Sequence, residues 1–417
     1  MTRVYLHTFG CKANQYDTEV IRQALETSGA VSVQDPAEAD VAIVNSCTVT
    51  HVSEAKMRGL VRRIARRNTR ARTVVMGCAA ELDDGTLATL PGVSQVVGGN
   101  DPVEVLNAAG IAVQPVDPLL RKFERGARAW LKVQDGCDEH CTFCATTLAR
   151  GDNRSRSPDA IVAEAQSLID NHEEIVLTGV HIGAYGADRT DGFTLGSLTQ
   201  LLVEKIPHVR FRLSSVEATE IDDCLADLLV SVPDRVAPHV HAPLQSGSDR
   251  LLQRMGRHWY TARSYRERIE WLAARLPRFG LGADVMVGFP TETDDDHAAT
   301  KSLIEGLPFT YLHVFPYSER PDAAASKLGP PVAPRVSQRR SLELRDLAQQ
   351  KLRAYRKQRD HDMADVILLR RIRGRYEGLT GDYLTVFLAT DSAPPPRGRA
   401  RLGVENGTLW AVPQEAV

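Results

Sequence analysis

Apolar runs that read as strands alternate with amphipathic helical stretches along most of this chain, and that alternation leaves few architectures open. VYLHTF, VAIVNS and TVVMG are the clearest early strands, and each leads directly into a cysteine: Cys11, Cys47 and Cys78. In an open parallel sheet such strand ends lie along one edge, where ligand sites of α/β folds form. Three cysteines far apart in sequence are therefore expected to converge. The segment IAVQPVDPLLRKFERGA, residues 111–127, carries prolines and charges without a clear period and reads as a connection between domains. A second alternating series follows, with AWLKVQ, EIVLTG, VRFRLSS, PHVHAPL, LGADVMVG and YLHVFPY as strands. Six such units describe a partial (β/α)6 barrel whose working face is the C-terminal ends of its strands.

From about residue 360 the pattern changes to short strands, ADVILLRRIRG, DYLTVFLA and RARLGVE, separated by turn residues. The expected layout is an α/β chain: an open parallel domain over 1–110, a linker over 111–127, the partial barrel over 128–345, a helical connection over 346–359 and a small antiparallel barrel over 360–417. A length of 417 residues agrees with two or three domains. The 43% hydrophobic and 25% charged residues are those of a globular protein. A net charge of -2 supplies no global field for nucleic acid, so any RNA affinity has to come from local basic patches. No run of about 18 apolar residues occurs and the opening MTRVYLHTFGCK lacks the apolar core of a secretory signal, so the expected location is cytoplasmic, with no membrane partner. In a reducing compartment the seven cysteines point to metal ligation or catalysis rather than disulfides.

The strongest chemical signal is GCDEHCTFC, which sets Cys137, Cys141 and Cys144 on one loop after a strand. Three thiolates so close together can wrap three corners of an iron-sulfur cubane and leave the fourth iron open. A structural zinc site wants a fourth ligand and paired spacing, and His140 inside the loop does not restore that pattern. This spacing, with the aromatic Phe143 before the last cysteine, resembles the radical S-adenosylmethionine (SAM) superfamily. TFGCKANQYDTE, NSCTVT and MGCAA further resemble the N-terminal domain of the methylthiotransferases. ARGDNRSR, VLTGVHIGAYG, RLSSVEATEID, HAPLQSGSDRLLQRM, DVMVGFPTETDDDH and HVFPYSERP extend the likeness down the chain, and the last segment resembles the RNA-binding TRAM module.

The resemblance implies two [4Fe-4S] clusters: a radical SAM cluster on Cys137, Cys141 and Cys144, and an auxiliary cluster on Cys11, Cys47 and Cys78. It implies that one SAM methylates sulfur held at the auxiliary cluster while a second yields the radical that activates the acceptor carbon. It places Phe143, Gly179, Ser214, Ser215, Gln245, Ser246 and Gly288 around SAM. For the glycines the plain alternative is a turn with positive φ. Arg212 and Glu217 read equally as anchors for substrate or SAM and as a solvated surface pair. Implied partners are the anticodon loop of tRNA, a reductase or flavodoxin/ferredoxin-type electron donor, and a sulfur donor.

The opening TFGCKANQYDTE resembles the branch that acts on N6-threonylcarbamoyladenosine at position 37, next to the anticodon. Alternatives are N6-isopentenyladenosine, an aspartate of a ribosomal protein, or an iron-sulfur RNA-binding protein without catalysis. No residue readable from sequence recognises the threonyl group. Two basic surfaces stand out for RNA. In SEAKMRGLVRRIARRNTRAR an apolar stripe of Met57, Leu60, Val61 and Ile64 is flanked by Lys56, Arg58, Arg62, Arg63, Arg66 and Arg67, and a solvated helix face is the plainer reading. The terminal barrel offers Arg370, Arg371, Arg373 and Arg375 and is the favoured surface. ATTLARG after Cys144 and Thr291 in VGFPTET depart from the usual family pattern. Cys224, in IDDCLADLLV, reads as structural.

Overall fold

The computed structural model describes residues 1–414 apart from 49–50, 116, 118, 125, 321–322 and 391. The first domain contains β1 (Arg3–Thr8), α1 (Lys12–Thr27), β2 (Val31–Val33), β3 (Val41–Ser46), α2 (His51–Arg67), β4 (Arg72–Gly77), α3 (Cys78–Glu81), β5 (Val93–Gly98) and α4 (Pro102–Ala108). Its strands pair in the order β2-β1-β3-β4-β5, parallel throughout. β3 is buried along its whole length, as a strand covered on both faces must be. One face packs Val41, Ile43, Val74 and Met76 against Ile21, Leu25 and Leu106, and the other packs Ala42, Val44 and Val75 against α2. Met57, Leu60, Val61 and Ile64 form the buried stripe of α2, while Lys56, Arg62, Arg63, Arg66 and Arg67 stay exposed.

The central region begins with β6 (Arg128–Lys132) and a short ribbon of β7 (Gln134–Asp135) and β8 (Arg154–Ser155), with α5 (Thr146–Arg150) between them. It continues through α6 (Pro158–Leu168), β9 (Glu174–Thr178), α7 (Leu195–Lys205), β10 (Arg210–Leu213), α8 (Asp223–Ser231), β11 (His239–His241), α9 (Asp249–Arg254), α10 (Ala262–Ala273), β12 (Gly280–Val287), α11 (Asp294–Gly306) and β13 (Tyr311–Pro316). β6, β9 and β10 form one parallel sheet and β11, β12 and β13 another. The bridge Ser215–His241 joins them, so the six strands follow one another in chain order as the partial barrel requires. The largest core, including Leu131, Leu177, Phe211, Val240 and Val285, lies between these strands and their helices.

α12 (Pro334–Gln358) leads into a closed barrel of β14 (Met363–Ile372), β15 (Arg375–Thr380), β16 (Thr385–Leu388), β17 (Arg397–Glu405) and β18 (Thr408–Pro413). Four of its pairings are antiparallel, as expected of the small antiparallel barrel, and one pairing, β16 with β18, runs parallel. The chain passes from β16 through residues 389–396 to β17 before β18 returns beside β16, and that crossing sets the direction. The β15–β16 turn closes the N-terminal strand ends of the central region. Arg212 donates to the carbonyls of Gly381 and Thr380 at 2.9 and 3.0 Å, and Tyr383 stacks on His239 at 4.2 Å. Among the described residues no helix is long and apolar enough to cross a membrane.

Candidate active site with two cysteine trios

Cys11 caps the N-terminus of α1, Cys47 follows β3 and Cys78 opens α3, so adjacent strands deliver all three cysteines to one edge. Two glycines allow the approach. A Cβ on Gly10, whose φ is +105°, would stand 2.8 Å from the Cβ of Cys47. A Cβ on Gly77, at φ +89°, would stand 2.2 Å from Asn45 Oδ1. Beneath the sulfurs lies a buried amide lattice. Asn14 Nδ2 donates to the carbonyls of Phe9 and Ser46 at 3.0 and 2.9 Å, Asn45 Nδ2 donates to Asn14 O at 2.9 Å, and Ser46 Oγ ties to Met76 O at 2.6 Å. Asn14 Oδ1 lies 3.6 Å from Cys11 Sγ and 3.8 Å from Cys78 Sγ.

The second trio sits on the loop between β7 and α5. Thr142 N donates to Met255 O at 2.9 Å and Ala325 N donates to Thr142 O at 2.8 Å, pinning the loop from outside. Phe143 packs edge-on against Phe289, with ring centroids 6.5 Å apart, and so anchors the loop in a small apolar cluster. Each thiol has a polar neighbour. His181 Nδ1 lies 3.6 Å from Cys137 Sγ, Arg257 Nη1 3.5 Å from Cys141 Sγ, and Thr146 Oγ1 3.1 Å from Cys144 Sγ. Burial works to lower the His181 imidazole, but its bonds to Cys137 and to Glu220, the latter at 2.7 Å, carry it up to about 10. Burial pushes the Cys141 thiol up to about 12 against the attraction of Arg257. Thiols gathered in this way become strong ligands once a cation replaces their protons.

Arg150 joins the two regions. It donates to Cys78 Sγ at 3.3 Å, to Asp135 at 2.8 Å, to Asp17 at 2.8 Å and to Asn14 Oδ1 at 2.7 Å. Lys132 completes this buried ionic group through Asp17 and Asp135. A cavity of about 230 Å3 is lined by Cys11, Cys47 and Cys78 on one side and by Thr146, Thr178, Gly179, Ser214 and Ser215 on the other.

Of the other residues singled out in the sequence, Gln245, Ser246 and Gly288 do not line this cavity. Ser246 bonds Thr300 at 3.2 Å, and Gly288 faces a separate cavity beside α12. Gln245 has φ +58° and a buried Oε1 with no hydrogen-bond partner among the described residues. Gly288 has the positive φ of a turn; Gly179 does not, and its constraint is the close approach of Gln134 O. Arg212 and Glu217 are not a solvated pair: both are buried, Arg212 bonded to Glu174 and Glu217 to Arg257. Cys224 lies in α8 with Sγ 3.4 Å from Gln200 Oε1, away from both trios. Asn14, Asp17 and Arg150 were missed as site residues, although TFGCKANQYDTE and ARGDNRSR contain them.

Residues 3–99 match the family described as uncharacterized protein family UPF0004, and residues 131–304 match the radical SAM superfamily. A Bacillus subtilis protein named threonylcarbamoyladenosine tRNA methylthiotransferase MtaB is 35% identical over 88% of this chain and 85% of its own length. The chain belongs to the radical SAM tRNA methylthiotransferase family. Other relatives in this family include the Aquifex aeolicus protein of the same name, 36% identical over 84% of this chain and 88% of its own. The tRNA-2-methylthio-N(6)-dimethylallyladenosine synthase of Dictyoglomus thermophilum is 32% identical over 78% of each chain. Among solved structures, the radical SAM methyltransferase TsrM from Kitasatospora setae superposes with a TM-score of 0.56 at 15% identity, covering 75% of this chain and 73% of its own. That likeness bears on the fold.

Proposed function

We propose that this chain is a tRNA methylthiotransferase that adds a methylthio group to C2 of N6-threonylcarbamoyladenosine at position 37. Four relatives at 35–38% identity carry that activity in their names. The observation that carries the reading is the single cavity bounded by Cys11, Cys47 and Cys78 and by the strand ends beside the Cys137–Cys144 loop. Both trios have the donor set of a [4Fe-4S] cluster with one open iron: three soft sulfur ligands each and no fourth cysteine or histidine built into the spacing. In this reading Cys137, Cys141 and Cys144 hold the radical SAM cluster, and Cys11, Cys47 and Cys78 hold the auxiliary one. Bound there, the clusters and SAM supply the radical that activates the acceptor carbon and the methylated sulfur that it receives.

The chain's own part is positioning. Arg150 and Asn14 place hydrogen-bond donors and acceptors behind the auxiliary trio, and His181 and Arg257 supply positive charge behind Cys137 and Cys141. Thiolate charge gathered at each trio is stabilised by the cations beside it. The cavity beside Cys11, Cys47 and Cys78 is walled on its other side by strand ends of the central region, and a base in an anticodon loop leaves its stack at a cost of only a few kcal/mol. An electron donor and a sulfur donor complete the cycle, and the exposed arginines of α2 or of the β14–β15 hairpin supply phosphate contacts. Mass spectrometry of nucleosides from tRNA of cells with and without the gene tests the reading. Loss of 2-methylthio-N6-threonylcarbamoyladenosine with build-up of its unthiolated precursor is expected; persistence of that nucleoside overturns the substrate.

A further inference from the structure

A second cavity, of about 180 Å3, opens from the first toward the interior of the central strands, and the two share Lys12, Ser214 and Ser215. Its charged groups are already matched, with one exception. Arg212 is taken up by Glu174 and two backbone carbonyls. Asp284 lies between His241 and His313, 3.3 Å from each, and Tyr311 Oη bonds His241 and His239 at 3.0 and 2.9 Å. Those internal bonds account for the close packing of the His241, Asp284 and His313 polar atoms, which lie within 4.8 Å of one another.

Lys12 is the exception. The residue is half-buried, and its ammonium has no hydrogen bond or ion pair among the described residues. It occupies the first position of α1, where the unpaired backbone N–H groups are themselves positive, and the first turn contains no acidic residue. A cation in a confined space against a helix dipole is costly without a counter-ion, and the position is suited to an anion that enters with the substrate.

We propose that Lys12 receives the carboxylate of the threonylcarbamoyl group, while the polar wall of His313, Asp284 and Ser214 faces its hydroxyl. This assignment rests on the proposed function, since it presumes an N6 substituent carrying a carboxylate. An adenosine with a plain hydrocarbon substituent offers nothing to pair with Lys12. Lys12 would thereby act as a specificity determinant beside Cys11, reading the group while the base reaches the cavity beside Cys11, Cys47 and Cys78.

The test is the binding of anticodon stem-loops to the cluster-reconstituted full chain, followed by fluorescence anisotropy. One loop carries N6-threonylcarbamoyladenosine and the other its threoninol counterpart, in which CH2OH replaces the carboxylate. The wild-type protein should prefer the carboxylate by about ten- to a hundredfold, the range of a hydrogen bond to a charged group. Lys12→Gln and Lys12→Met should bind the two loops alike, and Lys12→Arg should keep part of the preference. Equal binding of both loops by the wild-type protein overturns carboxylate recognition without any variant. A preference that survives in Lys12→Gln or Lys12→Met overturns Lys12 as its source. In either case methylthiolation of tRNA containing N6-threonylcarbamoyladenosine would still stand; failure of that reaction alone would instead sink the proposed function.

Discussion

Arg150 and Cys78, 72 residues apart in the chain, meet with Arg150 Nε 3.3 Å from the cysteine sulfur. The same guanidinium spans Asp17 in the first domain and Asp135 in the central region, so one side chain links the Cys11, Cys47 and Cys78 edge to the strand that leads into the Cys137–Cys144 loop. Removing it leaves two carboxylates that are largely out of water with Lys132 as the cation they still share. Arg150→Met should destabilise the reconstituted protein by about 3–5 kcal/mol, and Arg150→Lys by less, because lysine keeps the charge but not the planar fork. Urea unfolding monitored by circular dichroism measures both, and an unchanged midpoint for Arg150→Met would show that the link carries no stability.

The two trios should separate by chemistry. Replacing Cys137, Cys141 and Cys144 together by serine should halve the iron bound after anaerobic reconstitution, from about eight to about four atoms per chain, and abolish 5'-deoxyadenosine formation from SAM. Replacing Cys11, Cys47 and Cys78 should halve the iron equally, yet leave 5'-deoxyadenosine formation detectable and stop methylthio transfer. Iron analysis with product chromatography decides; full iron in either triple variant contradicts the ligand assignment.

Glu174 is fully buried and accepts from Arg128, Arg210 and Arg212. Burial alone would raise its carboxyl, but the three guanidinium groups hold it well below the usual range. Glu174→Gln takes the carboxylate partner from Arg128 and Arg212 and leaves Arg210 with Asp365 alone, where the terminal barrel meets the central strands. A loss of about 3–5 kcal/mol is expected, with the thermal midpoint falling accordingly. A midpoint within a degree or two of wild type would mean that the neighbouring Asp365 and the backbone carbonyls suffice.

Asp382, in the β15–β16 turn, accepts from Arg359 at 2.7 Å and from Tyr355 Oη at 2.7 Å. Burial opposes its ionisation, yet Arg359 keeps its pKa below the ordinary aspartate value of 3.8. A carboxyl whose folded pKa is depressed stabilises fully above the unfolded value and loses that contribution as pH falls through the folded one. Asp382→Asn should therefore be less stable than wild type at neutral pH, with the gap narrowing below about pH 4. Urea midpoints from pH 3 to 7 measure it, and a gap that stays constant would dismiss the ion pair as its cause.

The six-strand series, the parallel first sheet and the convergence of Cys11, Cys47 and Cys78 were legible in the sequence, because continuous apolar runs followed by helices place their strand ends along one edge. The stripe of Met57, Leu60, Val61 and Ile64 was legible for the same reason: helical spacing is local. The family likeness, which is written in short motifs, was legible too. What the polar residues of those motifs do depends on the folded arrangement. Arg212 and Glu217 sit five residues apart and could be read as partners, yet strands that converge from distant positions give each a separate buried counter-charge. Arg150 reaching Cys78, the parallel β16–β18 pair and the unmatched ammonium of Lys12 are likewise outcomes of three-dimensional closure. Charge pairing depends on distance in space and on exclusion of water, and neither quantity is encoded in the spacing of residues along a chain.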